Sequence, residues 1–112
     1  MQIKKTTEHK AYAIKITAEE NGQEIGRVYL YILNNNLHRE PFGLVEDLFV
    51  EEKQRGKGIG TELMQAVIAE ARELCCYKLI GQSRYMRDDL HRFYERLGFT
   101  DYGKNFRIDF LK

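Results

Sequence analysis

Apolar positions along the chain change their period near its middle. From Ala11 to Thr17 they alternate, with Ala11, Ala13, Lys15 and Thr17 on one face and Tyr12, Ile14 and Ile16 on the other. That two-residue period predicts a half-buried strand. Asn21-Gly22 comes next; both residues tolerate positive φ, so the pair predicts a hairpin turn. Gly26 to Leu33, rich in Val, Tyr, Leu and Ile, reads as the return strand. The polar run Asn34 to Glu40 leads to the lone proline, Pro41, and reads as a loop, after which Leu44 to Val50 is a third strand. Then Ile59, Leu63, Met64, Val67, Ile68, Ala71 and Leu74 or Cys75 recur in steps of three and four, the stripe of an amphipathic helix from Gly58 to Cys75. Tyr77 to Gln82 is short and apolar, a buried strand. Leu90, Phe93, Tyr94 and Leu97 make a second helical stripe, with Gly98 where a helix C-cap belongs. Phe106, Ile108 and Phe110 alternate in a final strand.

The predicted order is β-β-β-α-β-α-β. A strand, a crossover helix and another strand in succession imply a locally parallel pair in an otherwise mostly antiparallel sheet, an α/β chain with a mixed central sheet. A length of 112 residues allows one domain, 1–112.

Composition narrows the function classes. A net charge of +1, with basic and acidic residues interspersed, gives no field for nucleic acid or an anionic membrane. The N-terminus carries no apolar run of a signal peptide, and no run approaches the ~20 residues of a membrane span. The two cysteines, Cys75 and Cys76, are neighbours and do not form a disulfide framework. They read as small apolar fillers at a helix end, and no further Cys or His cluster supports a metal. The expected setting is cytoplasmic.

The chemistry concentrates in Val50-Glu51-Glu52-Lys53-Gln54-Arg55-Gly56-Lys57-Gly58-Ile59-Gly60, between a strand and a long helix. Glycines at alternate positions let the backbone turn sharply and let a ligand approach without meeting a Cβ. Successive free N–H groups at a helix N-terminus cradle an anion. The dipole contributes only ~0.3–1 kcal/mol, so the N–H bonds carry most of the binding. Arg55 and Lys57 add positive charge at the rim. A Walker A loop needs Gly-Lys-Ser/Thr, whereas Gly60 is followed directly by Thr61; the dinucleotide fingerprint needs Gly-x-Gly-x-x-Gly, and the spacing here is Gly-x-Gly-x-Gly.

The loop resembles the coenzyme A pyrophosphate loop of the GNAT acetyltransferase superfamily, Gln/Arg-x-x-Gly-x-Gly/Ala, with Arg55, Gly58 and Gly60 in the matching positions. Leu90-His91-Arg92-Phe93-Tyr94-Glu95-Arg96-Leu97-Gly98-Phe99 resembles that family's late helix, which ends Phe-Tyr-Glu-x-Leu-Gly-Phe. Glu19 to Gly26 is similar to the family's hairpin before the binding strand.

The resemblance implies a GNAT-like fold and transfer of an acetyl group from acetyl-CoA to a primary amine, by direct attack in a ternary complex. It makes Tyr94 the group that stabilises or protonates the departing thiolate, although Tyr94 also lies on the apolar stripe. It gives the backbone of Leu48, Phe49 and Val50 to the pantetheine arm, and residues Arg55, Gly56, Lys57, Gly58, Ile59, Gly60 and Thr61 to the pyrophosphate. Family members use a carboxylate on the binding strand as base. Glu46 and Asp47 should point to opposite faces, and Glu46 is the favoured one.

Two departures matter. The asparagine many members carry seven residues before the tyrosine is Arg87 here, in a segment closer to a subgroup with Arg-x-x-Ala-His-x-Phe-Tyr, Leu90 replacing Ala. His91 then reads as an orienting histidine, and Asp88 or Asp89 as a helix N-cap. The sequence reaches its hairpin almost at once, without the strand and two helices that usually precede it in the family, so the acceptor site is expected to be open or to be closed by a second subunit of a homodimer. Residues 34–43 are expected to supply part of its wall. The resemblance implies a small-molecule or protein amine as acceptor, and Glu46, Asp47, Glu51 and Glu52 favour a cationic one. A CoA-binding sensor without transferase activity is the alternative, and a structural domain that binds no CoA is the third.

Overall fold

The computed structural model describes residues 1–111. The chain divides into two compact units, Met1–Ile80 and Gly81–Lys112.

The first unit is a four-stranded sheet with a helix on one face. Strands β1 (Ala11–Glu20) and β2 (Gln23–Leu33) form a hairpin around Asn21-Gly22, both at positive φ (52° and 78°) as the turn requires. Strand β3 (Phe42–Val50) returns antiparallel to β2. Helix α1 (Ile59–Glu73) then crosses over to β4 (Leu79–Ile80), which pairs parallel with Gly43 and Leu44. The sheet order is β1-β2-β3-β4, so the predicted parallel pair is present. The sheet is antiparallel elsewhere.

The core follows the predicted stripe. Val28, Leu30, Ile32 and Val45 from the sheet meet Leu63, Met64, Val67 and Ala71 from α1, all 5% exposed or less. Gly26 marks a close approach of β2 to α1. A Cβ there would lie 3.1 Å from Leu63 and 3.3 Å from Ile59. The even-numbered row of β2 therefore faces α1, and the odd-numbered row Arg27, Tyr29, Tyr31 faces away. The Tyr29 and Tyr31 rings stack along that opposite face at 6.4 Å.

Helix α1 ends in a two-bond cap. The Cys75 N–H donates to the Arg72 carbonyl and the Cys76 N–H to the Ala71 carbonyl. The turn places Cys75 at φ 60°, the left-handed position that glycine usually fills. Cys76 behaves as the expected filler: half-buried, near Gly43, its thiol pKa pushed up by burial. Cys75 does not; it is exposed, because the cap turns it outward. Cys75→Gly removes the Cβ from a strained position, and calorimetry is expected to show a gain of about 1 kcal/mol; an unchanged or lower melting temperature contradicts this account of the cap.

The second unit contains helix α2 (Asp88–Arg96). Arg87, and neither Asp88 nor Asp89, occupies its N-cap position, and no side-chain bond caps it. Both aspartates sit inside the first turn instead, where negative charge complements the helix dipole. Arg87 grips both carboxylate oxygens of Asp89 at 3.0 Å, and these bonds hold the Asp89 pKa down to about 2.

The predicted final strand does not form among the described residues. Phe106, Ile108 and Phe110 are 87%, 77% and 90% exposed, and the segment has no strand partner. Alternation defines which face would be apolar, but it supplies no neighbouring strand to satisfy the backbone. The element order is thus β-β-β-α-β-α. Among the described residues no helix is long and apolar enough to cross a membrane.

Candidate functional site

Strand β3 changes character halfway along. Tyr29 pairs with Glu46 and Arg27 with Phe49, so Asp47 and Leu48 together stand opposite the single residue Val28. This is a β-bulge, and Asp47 adopts φ 57° to make it. Aspartate is among the few side chains that tolerate this region. The bulge interrupts the alternation that would separate Glu46 and Asp47 onto opposite faces. Glu46 stays in register across from Tyr29 and is half-buried, whereas Asp47 is exposed.

On its other side β3 is paired with β4 only at Gly43 and Leu44. From Val45 to Val50 that edge has no strand alongside among the described residues, so the backbone groups that point away from β2, apart from the Val50 carbonyl that Arg55 engages, suit a ligand that binds as an added strand. Leu48, Phe49 and Val50 lie on this open edge.

The chain then enters the glycine loop. The Glu51 N–H donates to the Ile25 carbonyl, and a single 3-10 turn spans Glu52–Gln54. Arg55 braces the turn: its Nε donates to the Val50 carbonyl at 2.8 Å, and its guanidinium lies 5.5 Å from the Phe49 ring. Lys57 donates to Gln54 at 3.1 Å. Both cations are thus pinned locally at the loop.

Gly56 and Gly58 hold φ of 80° and 85°, and Gly58 is the N-cap of α1 without any side-chain bond. A Cβ at either would meet nothing within 4 Å, so glycine is needed here for backbone conformation. Gly60 is helical and its missing Cβ would touch only Val50 at 3.9 Å. The first α1 bond runs from the Glu62 N–H to the Gly58 carbonyl. Among the described residues, no protein acceptor engages the backbone N–H groups of Gly56, Lys57, Gly58, Ile59, Gly60 or Thr61. Free donors, a helix N-terminus and open space fit a phosphate group. A second concavity, between β1 and α1, is lined by Ile16, Ile25 and Leu63 with Glu19, Glu20 and Glu62; its carboxylates do not suit an anion.

In the second unit, the end of α2 explains the signature around Tyr94. The Gly98 N–H donates to the Glu95 carbonyl and the Phe99 N–H to the Tyr94 carbonyl, with Gly98 at φ 102°. This cap ties the residue after the glycine back to the helix one turn earlier. Phe99 accordingly packs edge-on against the Tyr94 ring at 5.1 Å. A Cβ on Gly81 would fall 2.6 Å from the same ring. The Tyr94 hydroxyl donates to the Gln82 carbonyl at 3.4 Å. His91 hydrogen-bonds the Arg84 carbonyl at 2.9 Å, an orienting contact as expected.

The profile of the acetyltransferase (GNAT) family matches residues 2–99. The chain belongs to the GNAT acetyltransferase family. Glucosamine 6-phosphate N-acetyltransferase of Trypanosoma brucei brucei is 34% identical over 67 residues, 60% of this chain and 44% of that protein. Aminoalkylphosphonate N-acetyltransferase of Salmonella typhimurium is 30% identical over 82 residues, 73% of this chain and 53% of that protein. An acetyltransferase structure from Trypanosoma brucei superposes with a TM-score of 0.77 at 27% identity, covering 87% of this chain and 68% of that one. The matched stretches span 25% to 53% of the curated relatives' own lengths. In this GNAT chain the structure brings Glu46, the open edge at Leu48–Val50 and the loop Arg55–Thr61 onto consecutive segments of the first unit; Tyr94 belongs to the second. Two features escaped the sequence. One is the bulge at Asp47, for which an aspartate in a strand is the only signal. The other is the place of Arg27 beside the Phe49 ring, for which the sequence holds no signal. Among the described residues, no group of three His, Cys, Asp or Glu side chains is placed to hold a metal.

Proposed function

We propose that this chain is an acetyl-CoA-dependent N-acetyltransferase whose acceptor is a small primary amine bearing a phosphoryl group. The observation that carries the coenzyme half is the row of unengaged backbone N–H groups from Gly56 to Thr61, beside a β3 edge with no partner strand. The acceptor half is supported by the relatives, whose names specify glucosamine 6-phosphate and aminoalkylphosphonates.

In this reading the loop binds the pyrophosphate and the β3 edge binds the pantetheine arm. Glu46 takes a proton from the acceptor ammonium, directly or through water. The amine nitrogen attacks the thioester carbonyl, a backbone N–H of β3 polarises its oxygen, the C–N bond forms and the C–S bond breaks. Tyr94 gives its proton to the departing thiolate and is restored by the second proton, which the nitrogen sheds as the amide forms. The support for Tyr94 is its place in the signature and the way its own helix end fixes its ring.

A thiol-release assay with acetyl-CoA and a panel of amines tests the reading. Release is expected with phosphorylated or phosphonylated amines and weaker with their neutral counterparts. A preference for neutral amines would overturn the acceptor class and leave the coenzyme half standing. Release from none, with CoA still bound, favours the sensor alternative.

A further inference from the structure

We propose that Arg27 is the residue that recognises the anionic group of the acceptor, a tetrahedral phosphate or phosphonate. The inference rests on the acetyltransferase reading above and adds a specificity residue to it.

Arg27 lies on the sheet face turned away from α1, in the row Arg27, Tyr29, Tyr31. The pairing of Tyr29 with Glu46 and of Arg27 with Phe49 puts Arg27 and Glu46 on that same face, diagonal to each other next to the bulge. Two residues along a strand span roughly 7 Å. A base at Glu46 and a cation at Arg27 are therefore spaced for a molecule with an ammonium at one end and an oxyanion a few bonds away.

Of the cations near this face, Lys15, Arg55 and Arg27, only Arg27 has no hydrogen-bond or ion-pair partner among the described residues. Lys15, opposite Tyr29, is bound to Glu24 at 2.8 Å. Arg55 commits its Nε to the Val50 carbonyl. Arg27 is half-buried and makes no hydrogen bond or ion pair among the described residues; it stacks instead on the Phe49 ring, 4.9 Å from the guanidinium carbon. A ring face holds a guanidinium plane in place without using its N–H donors. The planar fork then keeps its donors for two-point recognition of a tetrahedral oxyanion, which lysine cannot match.

The other ligand with phosphates is the coenzyme, and the test separates the two. The thermal stability of the CoA-saturated protein is measured with and without 2-aminoethyl phosphate, for the wild type, Arg27→Gln and Arg27→Lys. The same proteins are assayed for acetyl transfer to 2-aminoethyl phosphate and to 2-aminoethanol. Gln keeps the first three side-chain carbons and removes the guanidinium with its charge. The phosphate ester is expected to stabilise the wild type and not Arg27→Gln. The ratio of kcat/KM for the phosphorylated over the neutral amine should fall ~10-fold or more in Arg27→Gln, with partial recovery in Arg27→Lys. Stabilisation by free CoA should persist in both variants. An unchanged ratio, a wild type that does not bind the phosphate ester, or a loss of CoA binding in Arg27→Gln would each overturn the proposal, the last by giving Arg27 to the coenzyme. Absence of transfer in the wild type with binding intact counts against the enzyme reading and leaves the assignment of Arg27 to the anion in place.

Discussion

Tyr94→Phe is expected to lower kcat by ~10²–10⁴ while leaving acetyl-CoA affinity unchanged. The change removes one oxygen. The ring keeps its edge contact with Phe99 at 5.1 Å and its seat against Gly81. The hydroxyl's 3.4 Å bond to the Gln82 carbonyl goes with that oxygen. A structural tyrosine would show its loss in stability and leave kcat near wild type, whereas a proton donor loses the step it performs. Stopped-flow and steady-state rates, with CoA binding measured on the same sample, separate the two. A kcat within about twofold of wild type, on a protein that still binds acetyl-CoA, removes Tyr94 from the mechanism.

Gly58→Glu is the second large effect. The substitution puts a carboxylate beside the free N–H groups at the start of α1, and acetyl-CoA affinity should fall by ~100-fold or more as two like charges meet. Gly58 has φ 85°, so any side chain there is strained. Gly58→Ala is the necessary companion. It carries the same backbone strain, roughly 1–2 kcal/mol, without the charge. A Cβ at this position would have nothing within 4 Å, so neither variant clashes with the protein itself. The two variants should melt at similar temperatures without ligand and differ sharply in calorimetric titration with acetyl-CoA. Equal affinities for the pair would move the phosphate away from this loop.

The parts of this protein that are legible in its sequence are those where local chemistry and tertiary demand agree. Asn21-Gly22 turns the first hairpin because both residues accept positive φ, and Gly98 ends α2 for the same reason. The α1 stripe is readable because its buried residues, Leu63, Met64, Val67 and Ala71, repeat at helical spacing. Strand ends are less legible. The β1–β2 ladder reaches Glu20 and Gln23, because hairpin pairing carries polar residues along with it once the turn is set.

What stays hidden depends on partners distant in sequence. Alternation at Phe106, Ile108 and Phe110 predicts a strand, but among the described residues no neighbour completes one. The bulge arises from a mismatch between two strands, Asp47 and Leu48 against Val28, and beyond the aspartate itself neither strand shows it alone. In sequence Arg27 is one more surface charge. Only the register, which sets it beside Phe49 and diagonal to Glu46, gives it a role. Cys75 shows the reverse case: a residue with no turn propensity of its own is forced left-handed by the cap that the rest of α1 imposes.

The central claim is that the loop from Arg55 to Thr61 and the open edge of β3 hold coenzyme A. The most direct test is the melting temperature of the wild-type protein with acetyl-CoA, free CoA and ATP in parallel. A ligand present at ~100 times its Kd adds about 2.7 kcal/mol of stability, several degrees for a chain of this size. Both CoA forms are expected to produce that shift, and ATP is not. No shift with either CoA form, or an equal shift with ATP, would contradict it.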